Sequence, residues 1–105
     1  MKRLAFVLLF LACAKSGRAP QLIAQYGCNA CHVIPGVPGH ASIGPSLAGI
    51  ASRPMISNGR VKNTPENLAK FIQNPASLNP ATSMPGLDMP PADAQEIANY
   101  LGTLK

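Results

Sequence analysis

The chain has 105 residues, 47 % of them hydrophobic, and a formal charge of +5 that only four acids oppose: Glu66, Asp88, Asp93 and Glu96. That length holds one domain and no more. No basic run or aromatic-interleaved patch is present, which argues against nucleic acid as a partner, and an odd count of three cysteines is not a closed disulfide framework.

The chain begins with Met1-Lys2-Arg3, a basic start, followed by an almost unbroken apolar run over residues 4–12. Small residues then come at Ala12, Cys13 and Ala14. That order is the layout of a secretory signal peptide, expected over residues 1–13. The run is too short to cross a hydrocarbon core, which needs ~20 residues. Phe10-Leu11-Ala12-Cys13 resembles a bacterial lipobox, in which cleavage before Cys13 leaves that cysteine lipidated at the new terminus. Ordinary cleavage after Ala14, with Ala12 and Ala14 as an A-x-A site, is the alternative. Loss of Lys2 and Arg3 with the leader takes one charge each and leaves +3, a mild positive surplus suited to an acidic protein face. Residues 14–20 are polar and breaker-rich and read as a flexible tether. Residues 21–105 are then the folded domain.

Eleven prolines and nine glycines imply that much of this domain is loop. Helical spacing of Leu22, Ile23 and Tyr26, closed by Gly27, predicts a helix over 21–27. A second helix is announced by Thr64 as N-cap, Pro65 at the first helical position and Glu66 in the first turn. Its apolar stripe is Leu68, Phe71 and Ile72, and it must stop near Asn74 because Pro75 follows. Ala94, Ile97, Ala98, Leu101 and Leu104 predict a third helix over 91–104. Its start has Pro90 and Pro91 where a capping hydroxyl would serve better, so slight fraying is expected. No segment alternates with period two, so essentially no sheet is expected. Two long loops, 33–54 and 75–90, separate the helices, and loops of that length in a compact domain are usually functional.

Cys28-Asn29-Ala30-Cys31-His32 carries the chemistry. Two thiols three residues apart, followed directly by histidine, form the pattern that attaches a c-type haem: each thiol reaches one vinyl group, and His32 lies under the iron. A thioredoxin-type dithiol would need a preceding strand and a βαβ pattern, and a zinc site would need a fourth ligand, for which only His40 is available.

With that motif the sequence resembles a class I c-type cytochrome over nearly the whole domain. The stretch Gly44-Pro45-Ser46-Leu47-Ala48-Gly49-Ile50-Ala51-Ser52-Arg53 is similar to the family's G-P-x-L-x-G-x-x-x-R segment. The resemblance implies an all-α fold, about three main helices with long loops wrapped around one covalent haem. It also implies that the Pro45 carbonyl accepts the Nδ1 hydrogen of His32, that Leu47 packs on the haem, and that Arg53 pairs with a propionate. Asn79-Pro80-Ala81-Thr82-Ser83-Met84-Pro85 resembles the loop that ends in the axial methionine, which makes Met84 the sixth ligand. Met89, immediately before the last helix, is its rival and reads better as a residue packing on the first turn. His40, by the same resemblance, bonds a neighbouring loop.

The implied function is electron transfer outside the cytoplasm by one haem c with His32/Met84 ligation, and not catalysis. The implied partners are a terminal oxidase, a bc1-type complex or a periplasmic dehydrogenase. The expected location is the periplasmic side of a bacterial inner membrane, lipid-anchored at Cys13 or soluble. A haem enzyme or gas sensor, and a fixed cytochrome subunit of a membrane complex, are the alternatives.

Overall fold

A computed structural model describes residues 18–105. The expected leader, its cleavage site and Cys13 lie outside the described residues. The chain folds into three helices of two turns or more, α1 (Arg18–Gln25), α2 (Pro65–Gln73) and α4 (Pro91–Leu101), and a single-turn helix α3 (Pro75–Leu78). Between α1 and α2 lies a short antiparallel pair, β1 (Met55–Ile56) and β2 (Val61–Lys62).

The helices form where the apolar spacing puts them and bury the faces it marks. Leu22 and Ile23 of α1, Leu68 and Ile72 of α2, and Ala94, Ile97, Ala98 and Leu101 of α4 make a single core. Full burial of a Leu or Ile side chain is worth ~1.5–3 kcal/mol, so these few residues supply most of the helix docking. Both α1 and α2 pack on α4. Among the described residues no helix is long and apolar enough to cross a membrane.

Boundaries differ from the expected ones for local reasons. Arg18, Ala19 and Pro20, expected in a tether over 14–20, are the first turn of α1. Proline is tolerated there because the first N–H groups of a helix have no partner in any case. Helix α2 starts as expected: Thr64 Oγ1 accepts the Asn67 N–H at 3.0 Å. The loop expected from residue 75 opens instead with α3, whose first residue is Pro75. Helix α4 stops at Leu101, three residues short of Leu104, whose carbonyl is drawn aside to accept the Ala51 N–H at 3.0 Å.

The small sheet corrects the expectation of none. Ile56 pairs with Val61 and Met55 with Lys62. The turn between them runs through Ser57, Asn58 and Gly59, all left-handed, with φ of 53°, 56° and 78°. Asn-Gly flanked by apolar residues is a hairpin signal, but two residues per strand leave no alternation to see.

Helix α4 is tied to α1 and to the first loop by tyrosines. Tyr26 donates to Asp93 Oδ2 at 2.7 Å, and Arg18 reaches Glu96 at 3.1 Å and Asp93 at 3.8 Å. These contacts pin the first turn of α4 from outside, where Pro90 provides no side-chain cap. The bond to Asp93 holds the Tyr26 hydroxyl above its ordinary value of 10.0, with burial adding to it. A raised phenol stabilises the fold fully below pH 10.0, and its contribution is lost as pH rises through the folded-state value above that. Tyr26→Phe is therefore expected to unfold earlier than the wild type in urea at pH 7, with the gap closing only above pH 10.0; an equal midpoint at pH 7 refutes the tie.

Tyr100, on the same helix, donates to the Pro35 carbonyl at 2.6 Å. Pro35-Gly36 makes a tight turn closed by Val37 N–H to the Ile34 carbonyl at 3.0 Å, and Gly36 has φ of 88°. A Cβ on Gly36 would be left-handed and would strike the Tyr100 hydroxyl. Gly36→Ala should cost about 2–3 kcal/mol, from the conformation and the displaced tyrosine together. Urea denaturation measures it, and an unchanged midpoint would show that the turn relaxes freely.

Candidate haem site

The site starts where α1 stops. Gly27, at φ 75°, turns the chain out of the helix and into a single 3-10 turn, Cys28–Ala30. The His32 N–H then donates to the Cys28 carbonyl at 2.9 Å, so both thiols and the imidazole are carried on one compact turn. All three residues face one cavity of about 590 Å³. That is within the ~300–1,000 Å³ usual for a cofactor site. Both thiols are free, and burial pushes the Cys28 thiol above its ordinary value.

The segment around Pro45 is laid onto this turn by backbone bonds. The Gly44 N–H donates to the Cys31 carbonyl at 2.7 Å, and the Leu47 N–H to the Val33 carbonyl at 2.8 Å. Pro45 O consequently lies 2.7 Å from His32 Nδ1. With Nδ1 donating, Nε2 is the nitrogen left with a lone pair for a metal. The imidazole lies over Gly44, where an added Cβ would sit 2.5 Å from His32 Cε1. Only a residue without a side chain leaves the ring this position.

Leu47 and Met84 both line the cavity, and each is half-buried. The rest of the wall is mainly apolar, with Ile23, Leu68, Ile72, Ile97 and Leu101 carrying the core up to the cavity surface. Met89 is not among the lining residues: it is 3 % exposed, in the core, with its carbonyl accepting from Gln73 Nε2 at 3.2 Å. Arg53 lines the cavity, but its Nη2 is committed to two loop carbonyls, Ser46 at 2.7 Å and Ala48 at 3.0 Å. It thus clamps its own loop, leaving Nε and Nη1 for any anion. His40 is exposed and not among the lining residues, and among the described residues its side chain makes no hydrogen bond to another loop; beside it, Asn29 Nδ2 donates to the Pro38 carbonyl at 3.0 Å.

Several lining residues have no distinguishing mark in the sequence. Ser57, Asn58 and Arg60 reach the cavity from the hairpin, and Asn79 reaches it from the end of α3. Recognising Asn58-Gly59 as a hairpin turn would have found the first three. Nothing in the string singles out Asn79, because burial of a polar side chain is a tertiary property.

Among the described residues no group of three or more His, Cys, Asp or Glu side chains is placed to hold a metal ion by itself. One imidazole and one thioether facing an apolar cavity, with two free thiols at its rim, instead suit a flat apolar ligand that brings its own metal frame. The residues present fit a haem.

Comparison with known proteins agrees. The family model for cytochrome c matches residues 17–105. A cytochrome c oxidase subunit 2 of Alkalihalophilus pseudofirmus is 34 % identical over 93 residues, which is 88 % of this chain and 26 % of that protein. The chain thus spans about a quarter of the length of this relative. The family match over all the described residues, the helices packed around an apolar cavity and the Cys28–His32 turn at its wall lead to one conclusion: the chain belongs to the cytochrome c family, whose members bind haem c and transfer electrons.

Proposed function

We propose that this chain carries single electrons by means of one covalently held haem with His/Met ligation, and that it is not an enzyme. What supports the reading most is the 2.7 Å pairing of His32 Nδ1 with Pro45 O beside a cavity that Met84 also lines. Cys28 and Cys31 would hold the haem as thioethers, His32 Nε2 and Met84 Sδ would take the axial positions, and Leu47 would pack on the ring. The bound haem supplies the one-electron couple. Arg53, through the nitrogens not spent on Ser46 and Ala48, would face a propionate with a charge-assisted bond. The thioether and the apolar wall both disfavour the extra positive charge of the oxidised state, and so raise the reduction potential. With both axial positions taken by the protein, no open site remains for a substrate.

The charges suit transient docking. Arg18 is paired with Asp93 and Glu96 on the α1–α4 side, whereas Arg53 and Arg60 line the cavity and have no acidic partner among the described residues. An acidic face on a terminal oxidase, a bc1-type complex or a periplasmic dehydrogenase would meet the positive side. The oxidase subunit relative favours one further reading, in which the domain is a fixed cytochrome part of a terminal oxidase. Purification in mild detergent separates the two, since a free carrier comes away alone and a fixed subunit comes away with its complex.

The central test is an optical and mass measurement on the purified protein. One haem mass added covalently, with a thioether charge-transfer band in the oxidised spectrum, is the expected result. Rapid, tight carbon monoxide binding to the reduced protein would replace this reading with a ligand-binding or catalytic one. The same mass spectrum tests the exported, lipid-anchored location. Acyl chains on Cys13 are expected, and Cys13→Ser is expected to move the protein from the membrane to the soluble fraction.

A further inference from the structure

We infer that Asn79 and Ser57 form a latch that holds the Met84 loop over the cavity, and that this pair sets how fast Met84 leaves the sixth iron position. The inference rests on the reading of Met84 as a ligand and extends it to the residues that position it.

Asn79 is the only polar or charged side chain buried among the described residues, at 6 % exposure. Its Nδ2 donates to Ser57 Oγ at 2.7 Å, across 22 residues of chain. Its Oδ1 accepts the Ala81 N–H at 3.2 Å, and its carbonyl accepts the Thr82 N–H at 3.0 Å. Thr82 Oγ1 in turn accepts the Met84 N–H at 3.2 Å. A continuous series of hydrogen bonds therefore runs from the hairpin turn through Asn79 to the backbone of Met84. All the residues in it, Ser57, Asn79, Ala81, Thr82 and Met84, line the cavity.

Little else holds this loop. Between Thr82 and the Gln73 bond to the Met89 carbonyl, the Met84 N–H contact is the only hydrogen bond among the described residues. The loop is thus fixed at Asn79 and at Met89, with Met84 between them. Burial makes the Asn79 end resistant to opening, because its amide has no water to replace Ser57 until the loop has already moved. The other half of the latch is equally constrained. Ser57 and Asn58 hold left-handed φ of 53° and 56°, which residues with side chains rarely adopt and which persist only where the surroundings enforce them. Breaking the Ser57–Asn79 bond removes one of those constraints and frees the Met84 loop at its nearer end.

A general contribution to stability and a specific hold on Met84 are separable. In the oxidised holoprotein, imidazole displaces the methionine only after it has left, so at saturating imidazole the rate becomes the rate of Met84 release. Ser57→Ala is expected to raise that limiting rate about tenfold, the effect of losing one buried hydrogen bond, and Asn79→Ala, which also loses the contact with the Ala81 N–H, at least as much. The double variant should be no faster than the faster single one, because both remove the same bond. Leu22→Ala, in the core but away from the cavity, lowers global stability without touching the loop and should leave the limiting rate within about twofold. Amide exchange of Ala81 and Thr82 in the wild-type holoprotein gives a second readout, expected to share one opening rate with Met84 release. The latch is overturned if neither single variant speeds release, if Leu22→Ala speeds it equally, or if the two amides exchange much faster than Met84 leaves. If Met84→Ala leaves the wild-type spectrum unchanged, the ligation reading itself fails and the latch falls with it. An altered Met84→Ala spectrum with unmoved rates in the Asn79 and Ser57 variants condemns the latch alone.

Discussion

Replacing Met84 with alanine should remove the thioether band from the oxidised spectrum and lower the reduction potential by on the order of 0.1–0.2 V, a fraction of the ~0.8 V over which axial ligands set haem potentials. The direction follows from the donor. A neutral, soft thioether favours the reduced iron, and a water or hydroxide in its place favours the oxidised one. The control is Met89→Ala. Met89 is 3 % exposed and absent from the cavity wall, so its loss should cost ~2–5 kcal/mol of stability through the void left in the core. Its spectrum and potential should be those of the wild type. A spectral change in Met89→Ala, with none in Met84→Ala, would transfer the ligand role to Met89. The measurements are a redox titration and an oxidised-state spectrum on each holoprotein.

Gly44→Ala is the second large effect expected, and it acts from the opposite face. The added methyl would sit 2.5 Å from His32 Cε1 and 2.7 Å from Nδ1, so the ring or the backbone must move. The backbone is held on both sides: the Gly44 N–H donates to the Cys31 carbonyl at 2.7 Å, and Pro45 is the next residue. The ring must therefore yield, and its Nδ1 bond to Pro45 O is strained or broken. Overpacking costs ~1–3 kcal/mol and the lost hydrogen bond ~1 kcal/mol, so a holoprotein destabilised by about 2–4 kcal/mol is expected. Weaker imidazole donation should also appear as a partial high-spin signal. Guanidinium unfolding and the optical spectrum measure the two consequences. Wild-type values in both would mean that the loop can withdraw from the imidazole.

These two substitutions differ in how far the sequence anticipates them. Met84 stands out in the string as a methionine in a proline-stiffened loop before the last helix. Gly44 stands out only as the first residue of a recognisable segment, and its contact with His32 is a matter of space between two loops. The same division runs through the fold. The span of α2 and the start of α4 were legible because caps, prolines and apolar spacing act over a few residues. The extension of α1 back to Arg18 was not, since Arg18-Ala19-Pro20 alone reads as a breaker. Its helical state comes with Arg18 reaching Glu96 and Asp93 on a helix some 75 residues away. The hairpin was missed because its strands have two residues each, and the twist and strain reside in three left-handed residues rather than in any pattern.

The chemistry is written in short stretches of chain: two thiols and an imidazole on one turn, a proline carbonyl and a methionine in separate loops, and three amphipathic helices to carry them. Local rules suffice for that, because motif spacing and helix periodicity are short-range. Which groups meet depends on how those stretches pack. Packing brought Pro45 O to His32 Nδ1, turned Arg53 onto the carbonyls of its own loop, removed Met89 into the core and buried Asn79 against Ser57. The contacts behind those outcomes join residues 5 to 22 apart in the chain, and their segments are placed as α1 and α2 pack on α4 around the cavity. Burial then gives the contacts their weight, since a hydrogen bond out of reach of water is costly to leave unmade.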